Sequence, residues 1–227
     1  MKIIVFSDIH GNIYALEEAL KLMRLHNPDA YLFLGDIAGY YYYQNECVDL
    51  LLGLENLISI KGNHDLYFLN AYPSKDFKLL DEKYGKSYSM LGENISHSTL
   101  EFLKNMQEFE KNNLFEAYHG SPEDYFNGYI YPDNESKNFL ETVSANYLFL
   151  GNTHYDMRKQ YAKMKVINPG SIGQPRNSKK PSFCVVDFNN GTEEMVYFSY
   201  DKSKLLDDIR RYDPDKNYLT RVLMRDE

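Results

Sequence analysis

The segment Lys2-Ile3-Ile4-Val5-Phe6 runs straight into the polar stretch Ser7-Asp8-Ile9-His10-Gly11-Asn12, and this junction constrains the chain more than any other feature. An apolar, β-favouring run bounded by a turn signal reads as a buried strand. Its carboxyl end delivers an aspartate and a histidine together. The junction then recurs. Ala30-Tyr31-Leu32-Phe33-Leu34 ends at Gly35-Asp36, and Leu57-Ile58-Ser59-Ile60 ends at Lys61-Gly62-Asn63-His64-Asp65. Residues 113–118 end at His119-Gly120, and Tyr147-Leu148-Phe149-Leu150 ends at Gly151-Asn152-Thr153-His154. Five strand ends therefore carry carboxylate, amide or imidazole groups. Ligands of α/β sheets gather at the carboxyl ends of strands.

The segments between these junctions decide the fold class. Ile13, Leu16, Leu20 and Met23 follow helical spacing over 13–25, with Asn12 as N-cap and Asn27-Pro28 as terminator. Residues 45–53 form a second short helix. Strand, helix, strand, helix, strand predicts an α/β protein with a parallel sheet covered on both faces. Residues 66–106 are mixed polar and aromatic and read as a mostly helical insertion on the pocket rim, with Ser98 and Glu101 as a capping box. A loop over 121–134 and a helix over 135–144 follow. After His154 the period changes, and 157–167, 181–188 and 193–200 read as strands of an antiparallel or mixed second sheet. Asn168-Pro169-Gly170-Ser171 and Asn189-Asn190-Gly191 mark turns between them. Polar helices over 202–211 and 214–223 close the chain. With no repeat or linker, residues 1–227 are expected to form a single domain, with the insertion near 66–106 and a C-terminal helical segment over 202–223.

Composition excludes several partners. The formal charge is −8, which argues against duplex nucleic acid as a general partner. Two cysteines, Cys47 and Cys184, make no disulfide framework and suit a reducing compartment. The four apolar residues after Lys2 are too few for a signal-peptide core, and no run reaches the roughly 20 residues a membrane span needs. The expectation is a cytoplasmic protein. Its exposed strand edges near 181–200 leave room for a homo-oligomer.

The candidate site is Asp8, His10, Asp36, Asn63, His64, His119, Asn152 and His154. His26 and His97 follow no strand and are expected at the surface. The donors are nitrogen and oxygen without thiolate, which favours Mn, Fe, Zn, Co, Ni or Mg over a structural zinc cage. Two divalent ions would carry +4 against −2 from Asp8 and Asp36. Such a site attracts phosphate although the whole chain is acidic, and it lowers the pKa of bound water.

The motifs Asp8-x-His10, Gly35-Asp36, Gly62-Asn63-His64-Asp65, His119-Gly120 and Gly151-x-Thr153-His154 resemble, in order and approximate spacing, those of the calcineurin-like metallophosphoesterases. The resemblance spans residues 1–173. Asn168 to Arg176 looks like the small phosphodiesterase branch of bacteria and archaea. It implies a four-layer α/β/β/α sandwich of two mixed sheets flanked by helices. It also implies two divalent ions, Mn foremost. In that pattern Asp8, His10 and His154 hold the first ion, Asp36 bridges, and Asn63 and His119 hold the second. His64 would face the substrate, to stabilise the transition state or protonate the leaving group. The implied activity is hydrolysis of a small phosphodiester or phosphoanhydride by metal-bound hydroxide. Phosphoprotein phosphatase activity, or a catalytically weakened metal-binding interaction module, are the alternatives.

Two departures stand out. The family usually reads Gly-His-Thr-His where this chain has Gly151-Asn152-Thr153-His154. An amide oxygen is a harder and weaker donor than imidazole, so the second site is expected to be weaker and biased toward Mn or Mg. After Asp36 stand Gly39-Tyr40-Tyr41-Tyr42-Tyr43 instead of the family's glycine- and proline-rich turn. Packing against the helical insertion accounts for the tyrosines, and a base-stacking platform is the sharper alternative. Arg176 is the candidate phosphate contact. Arg158 is expected to be a solvated surface arginine, and Tyr125, Tyr129 and Tyr131 are candidates for the cleft wall.

Overall fold

A computed structural model describes residues 1–133, 141–177 and 180–225. Strands β1 (Lys2–Phe6), β2 (Ala30–Phe33) and β3 (Leu57–Ser59) run parallel in that spatial order. Helices α1 (Ile13–Leu25) and α2 (Gln44–Leu52) make the crossovers. α1 starts where the sequence places it. The Asn12 side chain accepts from the Ala15 N–H at 3.1 Å, and Ala15, Leu16, Ala19, Leu20 and Met23 turn inward.

The C-terminal strands depart from expectation. Residues 157–167 are not one strand. They reverse at Ala162-Lys163 into a hairpin of β7 (Asp156–Tyr161) and β8 (Met164–Pro169). Ala162 takes φ +49°, a turn that no glycine or proline announces. This hairpin joins the second sheet, whose order is β4 (Phe109–Lys111), β5 (Phe115–Tyr118), β6 (Tyr147–Leu150), β8, β7. The strands β9 (Ser182–Asp187) and β10 (Thr192–Tyr197) do not join it. β9 lies antiparallel beside β1, pairing Ile3 with Val186 and Val5 with Cys184, and β10 forms the edge. Burial explains the placement. β9 is apolar on both faces, and the slot beside β1 covers both.

The protein is thus an α/β fold of two mixed five-stranded sheets flanked by helices. Side-chain alternation builds its layers. Ile3, Val5, Leu32, Leu34, Phe115, Phe149, Ile167, Cys184 and Val186 fill the space between the sheets. Ile4, Phe6, Tyr31 and Phe33 face the other way, toward the helices. Tyr118, Leu148, Leu150 and Val166 cover the outer face of the second sheet with Ile130 and Val143.

Residues 66–106 fold as helices continuing from α3 (Asn63–Ala71), namely α4 (Lys78–Tyr84), α5 (Ser87–Asn94) and α6 (His97–Asn105). The cap of α6 is Ser96, not Ser98. Ser96 has the extended backbone a cap requires and accepts from the Thr99 N–H at 3.1 Å. Glu101 instead pairs with Lys104 at 3.0 Å. Of the helix expected over 135–144, residues 135–140 lie outside the described residues. Helices α7 (Ser203–Tyr212) and α8 (Asn217–Leu223) close the chain.

The tyrosine run packs mainly on these last two helices. Tyr41 is fully buried, Tyr42 donates to Asp213 Oδ2 at 2.9 Å, and Leu205, Ile209, Leu219 and Leu223 complete the cluster. Tyr84 and Met90 of the insertion contribute only at its margin.

Candidate metal centre

The strand ends converge. Ligand-type atoms of Asp8, His10, Asp36 and His154 all lie within 4.8 Å of one another, and all four residues are buried. His154 Nε2 lies 3.3 Å from Asp8 Oδ1 and 3.1 Å from His10 Nε2. Asp36 Oδ2 stands 3.7 Å from His10 Nε2 on one side and 3.3 Å from His119 Nε2 on the other. Asp36 is therefore the hinge between two groups of donors.

The local backbone is as unusual as the side chains. Asp8, His10, Asp36, Asn152 and His154 all adopt φ between +51° and +67°. A non-glycine residue there is uncommon and needs outside support. The support is visible. The Asp65 carboxylate accepts from the N–H groups of Asp36, Ile37, Ala38 and Gly62 at 2.9–3.0 Å, which fixes the turn carrying Asp36. Gly62 packs so tightly on that turn that a Cβ there would collide with Asp36 Oδ1. Residues 168–174 brace the first turn. Ser171 Oγ donates to the Asp8 carbonyl at 2.8 Å, and the Gly173 N–H donates to it at 2.9 Å. Asn168 Nδ2 donates to the Gly151 carbonyl and to Thr153 Oγ1, locking the turn before His154.

Three imidazoles are oriented alike. Nδ1 of His10, His119 and His154 meets the carbonyls of Ala38, Leu34 and Gln174 at 2.8, 2.7 and 2.7 Å. A carbonyl only accepts, so these Nδ1 atoms carry hydrogen, and in the neutral ring Nε2 keeps its lone pair. Burial, as the largest influence, drives His10 well below its ordinary pKa and lowers His154 also. Burial alone would depress His119, but the Asp36 and Asp8 carboxylates outweigh it and raise its pKa. Burial alone would raise Asp8, but the surrounding imidazoles outweigh it and hold its carboxyl below the usual range.

This donor set fits divalent cations. Both carboxylate oxygens of Asp8, Asp36 Oδ2, Asn63 Oδ1 and His119 Nε2 are buried without a hydrogen-bond partner. Stranded buried acceptors are costly unless something electropositive satisfies them. Two imidazole lone pairs facing each other at 3.1 Å, as in His10 and His154, repel without a cation between them.

The remaining candidates fall at graded distances from this cluster. Asn63 is 3% exposed, and its amide nitrogen leans toward Tyr67 Oη at 3.5 Å, leaving the oxygen free. Asn152 is buried, and its amide nitrogen donates to the carbonyls of Phe126 and Gly128 at 3.3 and 3.0 Å. Only its oxygen is left for another role. His64 packs edge-on to His10 with ring centres 4.9 Å apart, and its main-chain N–H donates to Asp36 Oδ1 at 2.9 Å. Arg176 sits close enough to the cluster that its charge depresses His10, His64 and His154, and its guanidinium donates to Gln174 Oε1 at 3.3 Å.

Other expectations sort cleanly. Arg158 is exposed and donates to the Glu193 carbonyl. Tyr125 packs into the outer apolar cluster against Phe109 and Tyr118 rather than facing the cleft. Tyr129 and Tyr131 stack at 5.9 Å, within electrostatic reach of Arg176. Tyr40 alone of the tyrosine run reaches the centre, edge-on to His10 at 4.6 Å. At 4% exposure it offers no open face for a base. His97 is exposed as expected, but His26 is half-buried against Phe183. Sequence reasoning missed Asp65, Asn168 and Ser171 as braces. Asp65 directly follows Asn63-His64, and Asn168 and Ser171 flank Pro169-Gly170 where β8 ends, which were the available signals.

Comparison with known proteins agrees with this geometry. The calcineurin-like phosphoesterase superfamily domain matches residues 1–191. A protein of Methanocaldococcus jannaschii described as uncharacterized is 31% identical, over 91% of this chain and 91% of its own. A probable metallophosphoesterase of Mycoplasma pneumoniae is 24% identical over 88% of this chain and 97% of its own. Among solved structures, a metallophosphoesterase from Sphaerobacter thermophilus superposes with a TM-score of 0.85 at 22% identity, covering 98% of both chains.

Proposed function

Because the chain belongs to the calcineurin-like phosphoesterase superfamily, we propose that it is a two-metal phosphoesterase acting on a small phosphodiester or phosphoanhydride. One observation carries the reading: three imidazole Nε2 atoms and the carboxylates of Asp8 and Asp36 converge, buried, with stranded acceptors among them. Asp8, His10 and His154 hold one ion, Asn63 and His119 hold the other, and Asp36 stands between them. Asn152 offers its amide oxygen to the second. Such ions supply Lewis acidity toward phosphoryl oxygens and an activated water.

The chain supplies the rest. Arg176 balances a phosphate's remaining charge, and its position beside His10 and His154 supports that role. His64, next to Asp36 but outside the ligand cluster, supports the developing negative charge by hydrogen bonding. The helical insertion and the C-terminal helices enclose the cleft through Tyr84, Tyr40 and Tyr218, in one domain spanning residues 1–227. A reducing cytoplasmic setting goes with the buried thiols of Cys47 and Cys184, which stand on different elements. Manganese is the favoured ion for a site that includes amide donors.

The test is hydrolysis of bis-p-nitrophenyl phosphate by chelator-stripped protein given Mn, Mg, Zn, Ni or Co in turn. The expected result is turnover restored by added ion, most strongly by Mn. Folded, metal-loaded protein inactive with every ion would contradict the proposal.

A further inference from the structure

Four histidines meet at this centre, and their Nδ1 partners divide them three to one. His10, His119 and His154 face carbonyls, so each in its neutral form presents a bare Nε2 to the cluster. His64 faces a hydroxyl. Its Nδ1 lies 2.6 Å from Tyr88 Oη, on α5 of the helical insertion. Tyr88 is fully buried, and among the described residues its hydroxyl has no other hydrogen-bond partner. A buried phenol hydrogen aimed at nothing is strongly unfavourable. The hydroxyl therefore donates, Nδ1 accepts, and the ring hydrogen of neutral His64 must sit on Nε2.

A second feature guards this bond. Gly39 takes φ +86° directly over it, where a Cβ would come within 2.5 Å of His64 Nδ1 and 3.0 Å of Tyr88 Oη. The loop backbone thus lies against the hydrogen bond and leaves no space for a side chain there. The rings of Tyr40 and Tyr84, with centres 5.0 and 4.6 Å from that of His64, hold the imidazole plane. The aspartate beside His64 in sequence cannot serve instead, because Asp65 is committed to four main-chain N–H groups.

We infer that Tyr88 is a positioning residue whose hydroxyl fixes His64 as the Nε2–H tautomer. In that form His64 is a hydrogen-bond donor toward a phosphoryl or leaving-group oxygen and cannot ligate an ion through Nε2. The same side-chain type thereby takes opposite roles in one pocket, according to whether a carbonyl or a hydroxyl meets Nδ1. The catalytic consequence rests on the phosphoesterase reading, whereas the tautomer does not.

The test is long-range proton–nitrogen NMR of the ¹⁵N-labelled, zinc-loaded full chain, with His64 assigned from the His64→Gln spectrum. Wild-type protein is expected to show hydrogen on Nε2 of His64 and on Nδ1 of His10, His119 and His154. Tyr88→Phe should give mixed tautomers at His64, unchanged metal content, and kcat lower by about tenfold with KM within about twofold. Hydrogen on Nδ1 of His64 in wild-type protein would overturn the inference. So would a Tyr88→Phe variant with an unaltered His64 tautomer and unaltered kcat. A wild-type Nε2–H tautomer in protein that hydrolyses no phosphoester with any ion would uphold the Tyr88 assignment and overturn the phosphoesterase reading.

Discussion

The two groups of donors on either side of Asp36 come from the same kind of strand end but are held differently. In the half containing Asp8, His10 and His154, every donor is at most 2% exposed, and two imidazoles are pinned by carbonyls. The braces come from residues 168–174. In the other half only His119 is an imidazole, pinned by Leu34 and 3.3 Å from Asp36. Its companions are amides. Asn63 has its oxygen free, but Asn152 spends its amide nitrogen on the loop after His119. The difference teaches that a donor's strength depends on what its outer partner leaves free. A carbonyl on Nδ1 leaves an imidazole lone pair, whereas loop carbonyls on an amide leave only a weak oxygen.

The comparison can be broken most severely at the shared residue. Asp36→Asn should lower activity more than about 100-fold, beyond the loss typical of an outer partner of a ligand. Steady-state rates at saturating Mn measure it, and a residual rate near wild type would remove Asp36 from between the halves. Asp65→Asn should cost about 2–3 kcal/mol of stability, because four N–H groups lose a charged acceptor. Urea unfolding of the metal-free protein reads this directly.

A control outside the comparison is Glu116, a carboxylate 4% exposed beneath the second sheet. Burial alone would raise its pKa, but the Ser144 N–H, Tyr118 Oη and Lys111 outweigh that and hold it below the ordinary value. A depressed folded-state value stabilises above the unfolded pKa of roughly 4.3 and is lost as pH falls through the folded value. Glu116→Gln should therefore cost about 1–2 kcal/mol at pH 7, with the gap to wild type closing in acid and no effect on metal affinity. Smallest of all, neither thiol should react with a thiol reagent in folded protein near neutral pH. Burial pushes Cys47 well above its ordinary value and Cys184 up to about 12.

Much of this centre was legible in the sequence because strand ends carry a compact signal. An apolar run followed by Asp8-x-His10 or Gly35-Asp36 fixes both the element and the direction of its polar side chains. What stayed hidden was non-local. The apolar pattern of Ser182–Asp187 calls for a slot covered on both faces, but nothing in it says that this slot lies beside β1 rather than beside the β7–β8 hairpin. The turn at Ala162 was invisible because its positive φ is imposed by hairpin geometry, not by residue type. The tyrosine run reads as packing, but its partners lie about 170 residues away in α7 and α8. The Nδ1 partners of the histidines are mostly main-chain atoms, which leave no trace in residue identity.

The central claim is two ion sites of unequal strength on either side of Asp36. Equilibrium Mn binding to chelator-stripped wild-type and Asn152→His protein, titrated against a competing chelator, tests it most directly. The account predicts two ions per chain with separated affinities. It also predicts that Asn152→His tightens the weaker ion by about tenfold, or roughly 1.4 kcal/mol, and leaves the tighter one unchanged. A single ion per chain, or two equally tight ions indifferent to Asn152→His, would contradict it.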